Sequence, residues 1–246
     1  MLIDTHAHLT SNYYDDLEVI IKKCHEKKVD IIVASCCNTK DLDEYMDIIK
    51  HQEIYLTIGI HPEDASIYND KDIELIRNYQ SHPKVLAIGE IGLDYHYDGI
   101  DKKAQQALFR KMLNIAQENN KPIVIHSRDA VKDTIDILKE YKLTGIIHCF
   151  SGSLETAKEY IKMGYYLGIG GVVTFKNSKL KEVIKEIGLE HIVLETDSPY
   201  LSPYRGLKND PSNVYEVASF LAELLNMDIN EVAKITTNNA KKIYDL

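Results

Sequence analysis

The sequence predicts an α/β fold, a TIM-type (β/α)8 barrel with extra helices at its C-terminus. Three observations lead there. Eight short apolar, β-prone runs are spread along the chain. The stretches between them carry helical periodicity, so each strand is followed by a helix. Strands such as IIVAS and PIVIH are apolar on both faces, as parallel strands are when they lie between a barrel interior and an outer ring of helices.

In chain order the predicted strands are Leu2 to Thr5, Ile31 to Ser35, Tyr55 to Ile60, Val85 to Gly89, Ile123 to Ile125, Gly145 to Ile147, Tyr166 to Ile169 and Ile192 to Glu195. Leu17, Ile20, Ile21 and Cys24 form an i, i+3, i+4, i+7 stripe, and Leu108, Met112, Ile115 and Ala116 form a similar one. A proline-containing loop follows the last strand. A helix is predicted from about Ser212 to Leu225, then two short terminal helices, the second starting near Asn238. A doubly wound open sheet is the competing architecture, but its first turn should carry a glycine-rich phosphate loop, and DTHAHLT has none. With neither linker nor repeat, residues 1–246 are expected to form one domain, a common length for such barrels.

With 44% hydrophobic and 27% charged residues, the chain has the composition of a globular protein with a large core rather than of a disordered one. No apolar run approaches the ~20 residues of a membrane helix, and residues 1–8 do not read as a secretion signal, so a cytoplasmic protein without a membrane partner is expected. Cys24, Cys36, Cys37 and Cys149 contain no CxxC pair and are read as buried, reduced thiols. The net charge of −9 argues against a broad basic footprint for nucleic acid. It leaves room for an enzyme that meets phosphate through bound cations and a few local basic groups.

The placement of histidine carries the chemistry. Among ten histidines, His6 and His8 end the first strand, His61 the third, His126 the fifth and His148 the sixth, while Glu90 ends the fourth and Asp197 the eighth. In a (β/α)8 barrel these positions converge at the C-terminal mouth, where active sites are built. His6 and His8, two apart on an extended segment, leave the same face and can hold one cation. Glu90 lies in apolar AIGEIGLD, a costly place for an unpartnered carboxylate, and its two oxygens can bridge two metals. Taken singly, each histidine would be read as a hydrogen-bonded core residue and each carboxylate as half of an ion pair. Together they predict a metal centre.

The same residues carry a family resemblance. IDTHAHL, GIHP, AIGEIGLDYH, QQALFRKMLNIAQENNKPIVIHSRDA, IIHCFSGS, YLGIGGVVTFKN, VLETDSPYLSP with the following RGLKNDP, and the terminal TTNNAKKIY run in order over essentially the whole chain. In this the sequence resembles the TatD family of metal-dependent deoxyribonucleases, within the wider amidohydrolase-like barrels. The resemblance implies one metal site from His6, His8, Glu90 and Asp197, and a second from Glu90 as bridge with His126 and His148. No lysine stands where a carbamylated bridge would be needed. It also implies cleavage of DNA phosphodiester bonds by a 3′→5′ exonuclease activity, on single strands or 3′ ends, with a family leaning toward Mg²⁺. The imidazole-rich ligand set leans toward Zn²⁺ or Mn²⁺.

Two such cations, roughly 3.5–4 Å apart, lower the pKa of a water and polarise a phosphoryl oxygen. Asp197 and Glu90 are the predicted catalytic carboxylates, Asp197 accepting the proton of the attacking water or orienting it. Arg128, two after His126, and Arg205, after the last strand, are candidate phosphate clamps, with surface ion pairing as the alternative. His61 and Asn209 are further candidates for substrate contact. Two other functions stay open: a metal-dependent ester or amide hydrolase, such as a D-aminoacyl-tRNA deacylase, and a metal-stabilised binding barrel without turnover.

Overall fold

The computed structural model describes residues 1–246 and contains eight parallel strands, each paired with the next in sequence order. They are β1 (Leu2–Ala7), β2 (Val29–Cys36), β3 (Ile54–Ile58), β4 (Val85–Asp94), β5 (Ile123–Arg128), β6 (Gly145–Ile147), β7 (Tyr166–Ile169) and β8 (Ile192–Leu194). The intervening helices are α1 (Leu17–Glu26), α2 (Leu42–Ile48), α3 (Asp70–Tyr79), α4 (Lys102–Glu118), α5 (Val131–Leu138), α6 (Leu154–Lys162) and α7 (Leu180–Ile187), followed by α8 (Val214–Leu225) and α9 (Ile229–Tyr244). This is the predicted (β/α)8 barrel. No helix is long and apolar enough to cross a membrane.

Short polar residues set where several helices begin. Asp16, Asp101, Ser153 and Asp228 each accept a hydrogen bond from a backbone N–H in the first turn of α1, α4, α6 and α9, and Asn69 forms a capping box with Asp72 on α3. The apolar stripes then turn inward. Ile20, Ile21 and Cys24 of α1 and Leu108, Met112, Ile115 and Ala116 of α4 are all buried against the sheet.

The interior of the ring is a second apolar cluster. Ile3, Val33, Ala87, Val124, Ile146, Tyr166 and Val193 supply one residue each from seven strands, and the partly buried Tyr55 of β3 packs against them. Ala240 and Tyr244 of α9 belong to the same cluster. The Tyr244 hydroxyl donates to Thr5 O and the Thr237 hydroxyl to Met1 O, so α9 lies across the N-terminal end of the barrel and seals it. This corrects the prediction of two short terminal helices. Thr236 to Asn239 have weak helix propensity, but two of their side chains are anchored outside the helix: Thr237 Oγ1 donates to Met1 O, and Asn239 Nδ2 to Leu189 O and Ile192 O. Tertiary contact carries the helix through Asn238 without a break.

The ring closes between β1 and the segment after β8. Thr5 Oγ1 donates to Leu194 O, Asp197 N to His6 O and His8 N to Ser198 O. The seam is therefore knitted at the C-terminal mouth. Four strands run further than predicted there: β1 reaches Ala7 and β2 Cys36, while β4 continues past Gly89 to Asp94 and β5 past Ile125 to Arg128, with Asp94 paired to Arg128.

The pairing of β5 with β6 depends on Gly145, where a Cβ would stand 2.0 Å from Ile123 O and 2.8 Å from its carbonyl carbon. Backbone cannot yield as a side chain does. Gly145→Ala should destabilise the protein by ~1–3 kcal/mol, as overpacking does. A denaturant-unfolding midpoint equal to that of the unaltered protein would refute this account of the strand contact.

Candidate metal centre

The mouth of the barrel brings six predicted ligands together. His6 is buried near the end of β1 and His8 follows that strand; Glu90 lies within β4, His126 within β5, His148 directly after β6 and Asp197 three residues after β8. Glu90 is central. Its Oε2 is 3.4 Å from His6 Nε2, and its Oε1 is 2.8 Å from His126 Nδ1, 3.6 Å from His61 Nε2 and 3.8 Å from His148 Nε2. Asp197 Oδ1 faces the other flank, 3.5 Å from His8 Nε2, 3.7 Å from His148 Nε2 and 3.9 Å from His6 Nε2. Asp197 takes a left-handed backbone conformation, with φ at 54°, and its bond to His6 O ties it to the strand that carries the HxH pair.

Burial works against an ionised Glu90, yet the neighbouring His148, the hydrogen bond from His126 and the close approach of His6 hold it well below the usual carboxylate range. Asp197 is lowered in the same way: His148 and the His8 bond overcome the effect of burial. The imidazoles divide. Burial pulls His126 and His148 down, but Asp94 and Glu90 lift His126 to about 9, and Glu195, Glu90 and Asp197 lift His148 to about 10. His61, where burial dominates, falls to about 4. Protons on imidazole thus balance the carboxylates. A divalent cation would do the same work while freeing the imidazole lone pairs, so metal uptake here is coupled to proton release.

The donors fit such a cation. His6 is 1% exposed and neither of its ring nitrogens has a hydrogen-bond partner, an expensive state for a buried imidazole. Its 3.4 Å approach to Glu90 Oε2 is long for a hydrogen bond. Two donors bound to one cation at about 2.0–2.2 Å stand roughly that far apart. Groups with ligand atoms close enough to share an ion are His6, His8 and Glu90; His6, His148 and Asp197; His61, Glu90 and His126; and His148, Cys149 and Glu195. The division into two sets implied by the family resemblance is only partly reproduced. His148 Nε2 stands as near Asp197 as Glu90, and His61, predicted as a substrate contact, stands with Glu90 and His126.

Two carboxylates that the sequence reading missed orient the imidazoles. Asp94 Oδ2 is 2.9 Å from His126 Nε2, which turns Nδ1 toward Glu90. Glu195 Oε1 is 3.0 Å from His148 Nδ1, off the ideal hydrogen-bond direction, which leaves Nε2 facing the cluster. Each is itself held in place. Gln105 of α4 clamps the Asp94 backbone through both its N–H and its C=O, and Glu195 Oε1 accepts from Cys149 N. Glu195 fits only because residue 168 is glycine: a Cβ there would be 2.1 Å from Glu195 Oε2. The signals were present in the sequence, since Asp94 lies four residues from Glu90 on one strand and Glu195 directly follows an apolar run.

The mouth encloses about 490 Å³ and is also lined by Tyr13, Cys37, Glu63, Tyr97, Arg128 and Tyr200. The Arg128 guanidinium lies over the Tyr97 ring at 5.5 Å, and the Tyr13 and Tyr200 hydroxyls are 3.0 Å apart. Cys24 and Cys36 are buried as expected, but Cys37, which lines the mouth, and Cys149, beside His148 and Glu195, are only half-buried, which corrects the expectation of four buried thiols. His61 both faces Glu90 and caps its own loop, its Nδ1 accepting from Glu63 N. Arg205 is elsewhere, in a separate groove. Asn209 is a correction: it is 1% exposed, and its amide donates to Thr196 O and Tyr200 O while accepting from Asn213 Nδ2. Its hydrogen-bonding capacity holds the loop after β8 together.

Residues 3–245 match the family model described as TatD related DNase. The chain is 46% identical to the metal-dependent hydrolase YabD of Bacillus subtilis (strain 168), named as uncharacterized, over 99% of both chains. It is 33% identical to the similarly named YcfH of Escherichia coli (strain K12), over 100% of this chain and 96% of that one. The crystal structure of YJJV, a TatD homolog from Escherichia coli K12, superposes with a TM-score of 0.93 at 28% identity, covering 100% of this chain and 98% of that one.

The role given to Asp94 is testable apart from catalysis. Asp94→Ala removes the acceptor that fixes the His126 ring and should weaken metal affinity by ~10–100-fold, while Asp94→Asn, which keeps an acceptor oxygen, should lose less. Competition with a chelator reads the affinity, and circular dichroism checks the fold. Equal affinities in all three proteins would rule out the orienting role.

Proposed function

The chain belongs to the TatD-related DNase family of metal-dependent hydrolases, and from that premise we propose that it is a deoxyribonuclease of the 3′→5′ exonuclease type with a binuclear metal centre. The observation that carries the binuclear reading is the disposition of Glu90. Its Oε2 turns to His6 while its Oε1 turns to His126, so one carboxylate serves two groups of donors. His6, His8, Glu90 and Asp197 would hold one cation, and His126 and His148 with Glu90 the other. Mg²⁺, Mn²⁺ and Zn²⁺ all suit these donors. When bound, such ions lower the pKa of a water and polarise a phosphoryl oxygen.

The residues of the chain supply the rest. Asp197, kept ionised by His148 and His8, has an Oδ1 able to accept the proton of the attacking water or to orient it. Arg128 is exposed at the rim with no carboxylate within ion-pairing reach, free to bind a non-bridging phosphate oxygen. Tyr13, Tyr97 and Tyr200 offer rings beside it on which a base can stack. Cations held by the acidic interior would meet the phosphate, while Arg128 and the tyrosines of the rim meet the strand. That reconciles a net charge of −9 with a polyanionic substrate.

Metal-stripped protein restored with one cation at a time should cleave single-stranded DNA from its 3′ end. Hydrolysis of a D-aminoacyl-tRNA ester with no cleavage of DNA would overturn the nuclease reading. Glu90→Gln should lower occupancy at both metal positions, whereas His148→Ala should chiefly lower one, as read by metal analysis after dialysis. Full, equal occupancy in both variants would reject the bridge. Asp197→Asn keeps an oxygen ligand but loses basicity, so kcat should fall by ~10²–10⁴ with metal partly retained. Activity within a few-fold of the unaltered enzyme would remove Asp197 from proton transfer.

A further inference from the structure

A second groove, of about 630 Å³, opens on the same end of the barrel between the segment after β7 and the segment after β8. Phe175 and Lys176 stand on one wall, Tyr204 and Arg205 on the other, with Leu207 at the edge. Each wall thus sets an aromatic ring beside a cation in consecutive residues. Phe175 is 40% exposed, Tyr204 45% and Leu207 65%, an unusual gathering of large apolar side chains in solvent.

The charge of the groove is as distinctive. The chain has 38 acidic residues against 29 basic ones, yet none of the residues lining this groove is acidic. Two carboxylates close by in sequence are taken by other cations, Asp210 by Lys23 at 3.1 Å and Glu216 by Lys27 at 2.8 Å, although Glu216 also faces the Tyr204 hydroxyl. Lys176 and Arg205 have no carboxylate partner. Both walls are also firmly placed. Gly171 lies so close to the loop after β8 that a Cβ on it would be 2.1 Å from Leu201 O, and Tyr204 O accepts from Leu207 N in a tight turn. The groove is continuous with the mouth along one loop, where Tyr200 lines the metal centre and Ser202 to Leu207 line the groove.

Rings alternating with unpaired cations, in a trough that leads to a hydrolytic centre, are what a single nucleic acid strand requires. Bases stack on the rings regardless of sequence, and phosphates meet the cations. We propose that this groove is a strand-binding subsite. It holds single-stranded DNA several nucleotides away from the scissile bond, with Phe175 and Tyr204 as stacking platforms and Lys176 and Arg205 as phosphate contacts. The proposal rests on the nuclease reading for its substrate, and Arg205 acts in it at a distance from the metal centre.

The test separates the two readings. Binding of a labelled oligothymidylate of about 15 nucleotides is measured by fluorescence anisotropy over a range of salt concentrations, in an Asp197→Asn background that limits cleavage. Phe175→Ala with Tyr204→Ala should weaken binding by ~10–100-fold at an unchanged salt slope. Lys176→Gln and Arg205→Gln should each reduce the slope of log K against log salt by ~0.7. With Asp197 intact, the groove variants should lose kcat/KM on the long strand while cleaving a thymidine dinucleotide as the unaltered enzyme does. Long-strand binding and cleavage that match the unaltered enzyme overturn the subsite and leave the nuclease reading standing. Binding that weakens as described, in a protein that cleaves no DNA, supports the subsite and removes the nuclease reading.

Discussion

An ionised carboxylate at the centre of a barrel is the constraint on which the rest of this structure depends. Glu90 is 3% exposed, and a charge so placed costs several kcal/mol unless partners repay its lost hydration. His126 of β5 and His148 after β6 do most of this, with His6 of β1 and His61 after β3 packed against the same carboxylate. Those imidazoles must in turn be aimed, which brings Asp94 and Glu195 into the structure, and these need the Gln105 clamp and the missing side chain at Gly168. The polar network of the mouth therefore grows outward from one group, and each layer exists to satisfy the one inside it.

Such a network contributes little to stability by itself, because hydrogen bonds and ion pairs are offset by the desolvation of the groups that make them. The fold is held from below. The apolar interior of the ring, the helices around it and the lid formed by α9 across the N-terminal end provide the burial that lets the opposite end stay polar and strained. The two ends divide the labour, as in barrels of this kind: one is filled and closed, the other open to solvent and lined with titratable groups.

The ring itself was legible in the sequence because its strands are buried on both faces and so stand out as short apolar runs, and β6 and β7 have the predicted ends. The gathering of His6, His8, Glu90, His126, His148 and Asp197 was legible for the same reason, since strand ends in such a barrel are neighbours whatever their distance in sequence. What escaped was set by tertiary contact. The register between β4 and β5 shifts between Ile88 and Ile91, and pairing then resumes through Asp94, so a strand that seemed to stop at Gly89 carries a second carboxylate, hydrogen-bonded to His126. Asn209 looked like a loop residue free to meet substrate, but three hydrogen bonds absorb it. Thr236 to Asn239 looked like a break in a helix, and anchoring to β8 made them part of it. Local composition encodes neither of the last two outcomes, and it marks Asp94 only through its spacing from Glu90.

The seam between β1 and the segment after β8 has a consequence in time. His6 and His8 are made well before Asp197, which is bonded through its backbone to His6 from far along the chain. At ~5–20 residues per second, on the order of ten seconds or more of synthesis separate the two halves of that contact. During that interval the nascent chain holds imidazoles and a carboxylate without the group that completes them. A fragment released by a stalled ribosome before Asp197 is made lacks the carboxylate that faces His6, His8 and His148, and the seam that would hold it stays open.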